Sequence, residues 1–396
     1  MPNLSPQDIV IVAAKRTPIG GFSGQFSDIP SPELGGIAIK AALNSAGLAP
    51  DKIDEVIMGL ILSGGVGQAP ARQASLNAGL PISAPCTTVN KVCGSGMKSI
   101  MLAHDAIKAG TGEIYVAGGM ENMSRAPYLL PKARGGYRLG HGELKDHMFC
   151  DALEDAYNGE LMGQFADANA KAEGITREQM DAFALTSLER AQHAVSNGLF
   201  VDEIAPVTHT TRKGEAVYDT DETPGQARPE KIPQLKPAFS KDGGVTAANA
   251  SSISDGAAAL IICSNAAAEQ HGLSPLACIR AHATHAEAPN RFTHAPIGSI
   301  QKVIDKAGWS AADVDLYEIN EAFAMVVIAA INKLDLDPNT VNVNGGGCAL
   351  GHPIGASGAR IVVTLIHALK RLNKSKGVAS LCLGGGEAVA LALELC

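Results

Sequence analysis

The chain has 396 residues, with 32 Lys and Arg against 40 Asp and Glu, for a net charge of −8. Hydrophobic residues make up 46 %, too many for a disordered chain, and at this length a sizeable core can be buried. Acidity and the lack of a basic stripe interleaved with aromatics argue against nucleic acid, and the longest apolar run, Ala322 to Ile331, falls short of the roughly 18 residues that a membrane span needs.

The first 120 residues alternate short β-like runs with helical stretches. Ile9 to Val12 reads as a strand, and the apolar piece Ile9 to Ala14 has no basic segment before it, so a strand is expected there and no secretion signal. Ser31 to Ala46 reads as a helix, with Ser31 as a cap, Pro32 in the first turn and Gly47 at the end. Val56 to Gly59 and Glu113 to Ala117 read as buried strands. Strands alternating with helices favour parallel βαβ units.

From about Met120 to Ala250 the pattern changes to more charge, more proline and few β runs. One helix stands out: Thr176 and Gln179 form a capping box, and Gly198 stops the helix after Asn197. This stretch reads as a loop-rich insertion of the kind that makes a lid. Alternation resumes after Ser251, with Ala257 to Cys263 as a buried strand and two strands around a long helix in 341–396. The chain also echoes itself. Cys93-Gly-Ser-Gly96 opens a helix that leads to a strand and Gly118-Gly119; Gly355-Ala-Ser-Gly358 opens a helix that leads to a strand and Gly384-Gly385. Two halves built alike, the first carrying an insertion, are the simplest architecture.

Several places could carry chemistry. Cys93 stands at a helix N-terminus, where unpaired N–H groups and the dipole are expected to lower a thiol's pKa and suit it to nucleophilic attack. The competing reading is a small buried hydrophobe, which is what most intracellular cysteines are. His352 sits in the glycine-rich loop Asn344 to Gly358 and could be a general base. Cys348 and His352 at i, i+4 could instead hold metal, as could His141, His147 and Cys150, but both sets lack good ligand spacing. Cys382 ends a strand at a glycine turn, where active sites of α/β folds gather; again the alternative is a buried small residue. Asn320 could cap the apolar helix that follows it, or hold a water or an oxyanion. Nucleotide-phosphate loops of the G-x-x-x-x-G-K-[ST] or G-x-G-x-x-G kind do not occur, which lowers the standing of ATP and nicotinamide chemistry. Eight scattered cysteines point to reduced thiols in the cytoplasm.

Taken together, the motifs resemble the thiolases, the acetyl-CoA acetyltransferases and 3-ketoacyl-CoA thiolases. The resemblance spans essentially the whole chain. It rests on Asn90-Lys-Val-Cys-Gly-Ser-Gly-Met-Lys-Ser, Gly118-Gly-Met-Glu-Asn-Met-Ser, Asn249-Ala-Ser with Asp255-Gly-Ala-Ala-Ala, Asn320-Glu-Ala-Phe-Ala, Asn344-Gly-Gly-Gly with Gly351-His-Pro-Ile-Gly-Ala-Ser-Gly, and Cys382-Leu-Gly-Gly-Gly. It implies an α/β fold of two similar βαβαβαββ halves in a layered αβαβα arrangement. Residues 1–122 plus 253–274 would form the first half, 123–252 the loop-rich insertion and 275–396 the second half.

The resemblance also implies roles. Cys93 would be the acylated nucleophile, His352 would take its proton, and Cys382 would act as acid and base on the second substrate. Asn320 would hold a water that forms one oxyanion hole with His352, and the N–H groups of Cys93 and Gly384 would form the other. Ser251, Ala250 and Met162 would line the pantetheine arm of CoA, Leu153 would lie near its adenine, and Phe323 with Ala322 would wall the acyl pocket. Arg228 would meet CoA phosphates. The implied reaction is reversible Claisen condensation of two acetyl-CoA to acetoacetyl-CoA and CoA, by a ping-pong route through a cysteine thioester. No metal or prosthetic group is called for, since CoA thioesters are substrates. The protein would be cytoplasmic and homotetrameric, without nucleic-acid or membrane partners.

Two departures bear on chain length. Leu161 stands where acetoacetyl-specialised members often have His, and Phe292-Thr-His-Ala-Pro296 replaces a common Met-Gly-x-Gly-Pro run. A degradative 3-ketoacyl-CoA thiolase of broader chain length is therefore the alternative. A 3-ketoacyl synthase would use one Cys with two His, and a non-catalytic relative would have lost the reactive residues.

Overall fold

A computed structural model describes residues 4–211 and 214–396. Strand β1 (Ile9–Arg16) is an almost continuous apolar run, as expected of a strand covered on both faces. Helix α1 (Ser31–Ala46) follows, then β2 (Glu55–Gly59), α2 (Pro70–Asn77), β3 (Cys86–Val89), α3 (Ser95–Lys108) and β4 (Ile114–Asn122). After the insertion come β5 (Ser254–Ser264), β6 (Ala277–Ala286), α6 (Ala295–Ala307), β7 (Leu316–Ile319), α7 (Ala324–Leu334), α8 (Ile354–Arg371), β8 (Lys376–Leu383) and β9 (Glu387–Leu395). The insertion carries α4 (Met162–Ala172) and α5 (Arg177–Ser196).

The strand order reveals the repeat. In the first half it is β3-β2-β4-β5-β1, and in the second β7-β8-β9-β6. A parallel bridge from Val341 to Tyr317 of β7 takes the place in the second half that β3 holds beside β2 in the first. Each half thus reads third, second, fourth, fifth, first in its own chain order. The two half-sheets join through β1 and β6 at Val10–Cys278 and Ile11–Ala277.

Five layers result. Helices α1 and α2 cover the outer face of the first half-sheet, where Leu34 and Ile39 meet Val10, Val116 and Ile261. Helices α3 and α8 lie between the half-sheets, with Met97, Ile100, Ile361 and Val362 packed among Ile11, Leu260, Leu381 and Leu391. Helices α6 and α7 cover the outer face of the second half-sheet, through Ile300, Val303 and Val327 against Val378 and Ala390. Helices α3 and α8 cross at glycines. A Cβ on Gly96 would stand 2.8 Å from the Ala359 nitrogen, and one on Gly358 would run into the Met97 nitrogen. Only a hydrogen fits there, so the two helix N-termini come together, and the loops before them bring in Cys93 and His352.

Two caps differ from the sequence reading. Ser31 is the first helical residue of α1 and makes no cap bond; Pro30 precedes it, and Gly47 ends the helix in the left-handed region at φ 63°. Asn320 does not cap α7, because an extended Phe323 occupies that position. The capping box of α5 forms: Thr176 Oγ1 accepts from the Gln179 N–H, and the Gln179 side chain accepts from the Thr176 N–H.

Residues 123–253 leave the sheet between β4 and β5. They contain two short antiparallel pairs that the β-poor pattern concealed, Tyr128–Leu129 with Lys145–Asp146 and Val207–Thr211 with Gly214–Tyr218. This segment is fastened, not a free lid. Arg16 of β1 is fully buried, donates from Nε to Glu203 at 2.5 Å and binds Asp221 with both terminal nitrogens at 2.7 and 2.9 Å. Glu203 also accepts from Thr364 of α8 at 3.0 Å. Among the described residues no helix is long and apolar enough to cross a membrane.

Candidate active site

Where the crossing helices begin, a mostly apolar cavity of about 370 Å3 opens. All three parts of the chain line it. The first half contributes Cys93; the insertion contributes Phe149, Leu153, Leu161, Met162, Phe239, Ala250 and Ser251; the second half contributes Phe292, Ala322, Phe323, His352, Cys382 and Gly384. The size suits a small-ligand pocket.

Cys93 lies just before α3, whose N-cap is Gly94. Val92 before it has φ 45°, a left-handed backbone that is costly for a β-branched residue. Local bonds hold this bend: the Val92 N–H donates to Asn90 Oδ1 at 3.0 Å, and the Lys91 and Ser95 N–H groups donate to Ser95 Oγ and the Val92 carbonyl. Lys91 pairs with Glu387 of β9 at 2.5 Å, tying the thiol's loop to the turn that follows Cys382. That turn is Gly384–Gly386, in which Gly385 and Gly386 have φ near 86° and 87°. It aims the Gly384 N–H at the Cys93 sulfur, which the Cys93 N–H also meets. Two backbone donors therefore converge where charge would develop.

The resting thiol is not activated as its place before a helix suggested. Burial pushes the Cys93 pKa up to about 11, against the lowering effect of the two N–H groups. Desolvation outweighs the local field, so the sulfur needs a base to take its proton. His352 can serve. Burial, followed by the charge of Arg360, pushes its pKa down to about 3, so the ring is neutral. Ser357 Oγ donates its single hydrogen to the Pro353 carbonyl at 2.9 Å and lies 2.5 Å from His352 Nδ1. It must therefore accept from Nδ1–H, which leaves the lone pair on Nε2 free. The backbone places the ring too, since the His352 N–H reaches the Ser252 carbonyl at 3.1 Å.

Asn320 Nδ2 lies 3.5 Å from both ring nitrogens of His352, and its Oδ1 is buried without a partner among the described residues. Next to it, Glu321 accepts from Ser187, Asn342 and the Cys348 N–H at 2.7, 2.9 and 3.1 Å, which fixes the Asn320 loop against the insertion. The Cys382 thiol is pushed far up by burial, and the neighbouring Cys93 charge adds to this. Phe323 meets Phe239 and Phe292 edge-on, with centroids 6.1 and 6.2 Å apart, and narrows one end of the cavity.

The structure thus brings together Cys93, His352, Cys382, Asn320 and Gly384, with Ser251, Met162, Leu153, Phe323, Ala322 and Ala250 around them. Arg228 is elsewhere. With Lys231 and Cys348 it lines a separate cavity of about 270 Å3, which shares Ala247 and Ser252 with the first. The metal sets considered from sequence do not assemble: among the described residues neither Cys348 with His352 nor His141 with His147 and Cys150 joins a group of three converging ligands. His147 instead pairs with Asp151 at 2.6 Å. Ser357, Phe149 and Phe239 escaped the sequence reading. Ser357 left one signal, its place in the first turn after His352; the two phenylalanines left none.

Comparison with known proteins decides the family. Residues 9–266 match the model of the thiolase N-terminal domain, and 273–395 match that of the thiolase C-terminal domain. The chain belongs to the thiolase family. It is 51 % identical to an acetyl-CoA acetyltransferase of Cupriavidus necator, over 98 % of this chain and 99 % of the relative. It is 49 % identical to one from Escherichia coli, with the same coverage, and 49 % identical to acetyl-CoA acetyltransferase 1 of Arabidopsis thaliana, over 99 % of this chain and 95 % of that one. A crystal structure of a Bacillus anthracis acetyl-CoA acetyltransferase superposes with a TM-score of 0.96 at 43 % identity, covering 98 % of this chain and 99 % of that one. The motifs around Cys93, Ser251, Phe323, His352 and Cys382 are the segments that meet at this cavity.

Proposed function

We propose that the protein is an acetyl-CoA C-acetyltransferase that works through a thioester on Cys93. The observation that carries this reading is the convergence of the Cys93 and Gly384 N–H groups on the Cys93 sulfur, in the cavity that also holds His352 and Cys382. In the first half-reaction Cys93 loses its proton to His352 Nε2 and attacks the carbonyl of acetyl-CoA. The carbonyl oxygen takes up charge between the two N–H groups. CoA sulfur leaves and takes the proton back from His352, and the acetyl group stays on Cys93.

In the second step His352, neutral again, takes the proton of the Cys382 thiol. The Cys382 thiolate then accepts a proton from the methyl carbon of a second acetyl-CoA. The protonated His352 and a water held by the Asn320 amide stabilise the enolate, which attacks the thioester; Cys93 leaves as a thiolate and takes its proton from His352. Thiolysis of acetoacetyl-CoA is the reverse. The aromatic closure by Phe239, Phe292 and Phe323 supports a short acyl group. Arg228 and Lys231, beside the second cavity, are the cations that fit CoA phosphates. No resident cofactor is part of this reading; a cytoplasmic homotetramer in fatty-acid metabolism is.

The test is mass spectrometry of the protein after acetyl-CoA is added without acceptor. An acetyl adduct on the Cys93 peptide is expected. An unmodified Cys93, or an adduct that persists in Cys93→Ala, overturns the assignment. Thiolysis rates should fall steeply for 3-ketoacyl-CoA longer than acetoacetyl-CoA; a flat profile would favour the broader degradative enzyme.

A further inference from the structure

Far from the cavity, at the other end of α3, three ligating side chains converge. His104 and Asp105 come from the last turns of α3, in the first half, and His282 from β6, in the second. Asp105 Oδ1 lies 2.9 Å from His104 Nδ1 and 2.8 Å from His282 Nε2. The rings stand nearly perpendicular, at 85°, with centroids 4.9 Å apart, and one ligand atom from each of the three residues falls within 4.8 Å of the others. Both imidazoles are mostly covered, at 15 % and 18 % exposure, while the carboxylate is 54 % exposed. The group is walled on the protein side and open to solvent on the other.

We infer that His104, Asp105 and His282 form a binding site for a divalent transition metal of the zinc class, clamping the end of α3 to the second half-sheet. Two imidazoles and one carboxylate are a donor set that zinc accepts, with water as a fourth ligand on the exposed side. Metal–ligand bonds of about 2.0–2.2 Å in a tetrahedron set ligand atoms roughly 3.4 Å apart. The present separations of 2.8 and 2.9 Å need to open by only about half an ångström, which side-chain rotation on an exposed rim supplies.

The chemistry of the free state fits as well. With both rings neutral, each points an N–H at the same carboxylate oxygen, and a metal replaces the two protons at once. Two cations lie close, and backbone carbonyls hold both: Lys108 Nζ donates to the Gln7 carbonyl at 2.6 Å and Lys306 Nζ to the His282 carbonyl at 3.1 Å. The motifs that carry the acyl chemistry do not include these three residues, so the site is independent of the proposed reaction.

Cobalt(II) is the probe, because its absorption reports the ligands. Chelator-stripped protein is titrated with Co2+, then with Zn2+ in competition. One tight equivalent is expected, with a ligand-field spectrum free of thiolate charge transfer. It should weaken by more than about tenfold in His104→Gln and in His282→Asn, and persist in Cys150→Ala. Zn2+ should raise the melting temperature of the parent protein but not of either histidine variant, while all three melt together in chelator, which shows that the variants fold. Thiolate charge transfer in the first equivalent, or an unchanged first equivalent in His282→Asn, overturns the site.

Discussion

The two halves share one strand order and differ most in a single connection. Between the fourth and fifth strands of the first half, β4 and β5, lie residues 123–253; between the corresponding strands of the second, β8 and β9, lie Gly384–Gly386. The long connection builds the wall of the cavity, and the short one points an N–H into it. The halves also divide the chemistry. The first presents the sulfur before α3, and the second presents an imidazole before α8, a second thiol at the end of β8 and an amide after β7. The repeat sets two similar helix starts side by side, and their different loops put a thiol before one and an imidazole before the other.

That division can be broken most decisively at the sulfurs. Cys93→Ala should abolish acyl-enzyme formation and lower turnover by about 10^4-fold or more. Cys382→Ser should leave acetylation of Cys93 intact and slow condensation by about 10^2–10^4-fold. Stopped-flow acylation set against steady-state condensation separates the two, and equal loss of both half-reactions would end the division of labour.

The next effect is read in pH. The competent form of His352 is neutral, and it is lost as pH falls through its own pKa. Because burial holds that value at about 3, the acylation rate should stay flat through the usual histidine range near 6.5. On the alkaline side, iodoacetamide should alkylate Cys93 at a rate that climbs with pH towards about 11. An acidic limb between pH 6 and 7 would mean that His352 is charged at rest and that the second half does not hold a free base.

Smaller effects test the crossing and the insertion. Gly96→Val and Gly358→Val should each destabilise the fold by about 1–3 kcal/mol or more, since the added carbons meet backbone. Urea midpoints would show it, and an unchanged midpoint in either would mean that the helices are not pressed together. Thr176→Ala, which removes one cap in the insertion, should cost only about 1 kcal/mol.

Much of the site could be read from the chain because each thiolase motif carries its own backbone device. The glycines around Cys93, His352 and Cys382 mark places where main chain approaches a reacting group. What stayed hidden depends on the third dimension. Ser357 sets the proton on His352 through one bond, Phe239 reaches the cavity from a proline-rich stretch, and Arg228 lines the neighbouring cavity. The raised Cys93 pKa stayed hidden for the same reason: a helix start is local and visible, whereas burial by Leu383, Val389 and other residues from the far half is not. The caps at Ser31 and Asn320 failed by shifts of one and three residues, where Pro30 and an extended Phe323 took the position.

The buried Arg16 clamp has a consequence for how the molecule comes apart. It binds β1 to Glu203 and Asp221 of the insertion, and Glu203 reaches α8 through Thr364. Peeling the insertion away would strand a guanidinium or two carboxylates in apolar surroundings, at a cost of several kcal/mol. Local opening at that point is therefore as hard as melting the sheet. The cavity wall and the strands that hold the reactive groups should exchange their amide hydrogens as one cooperative unit.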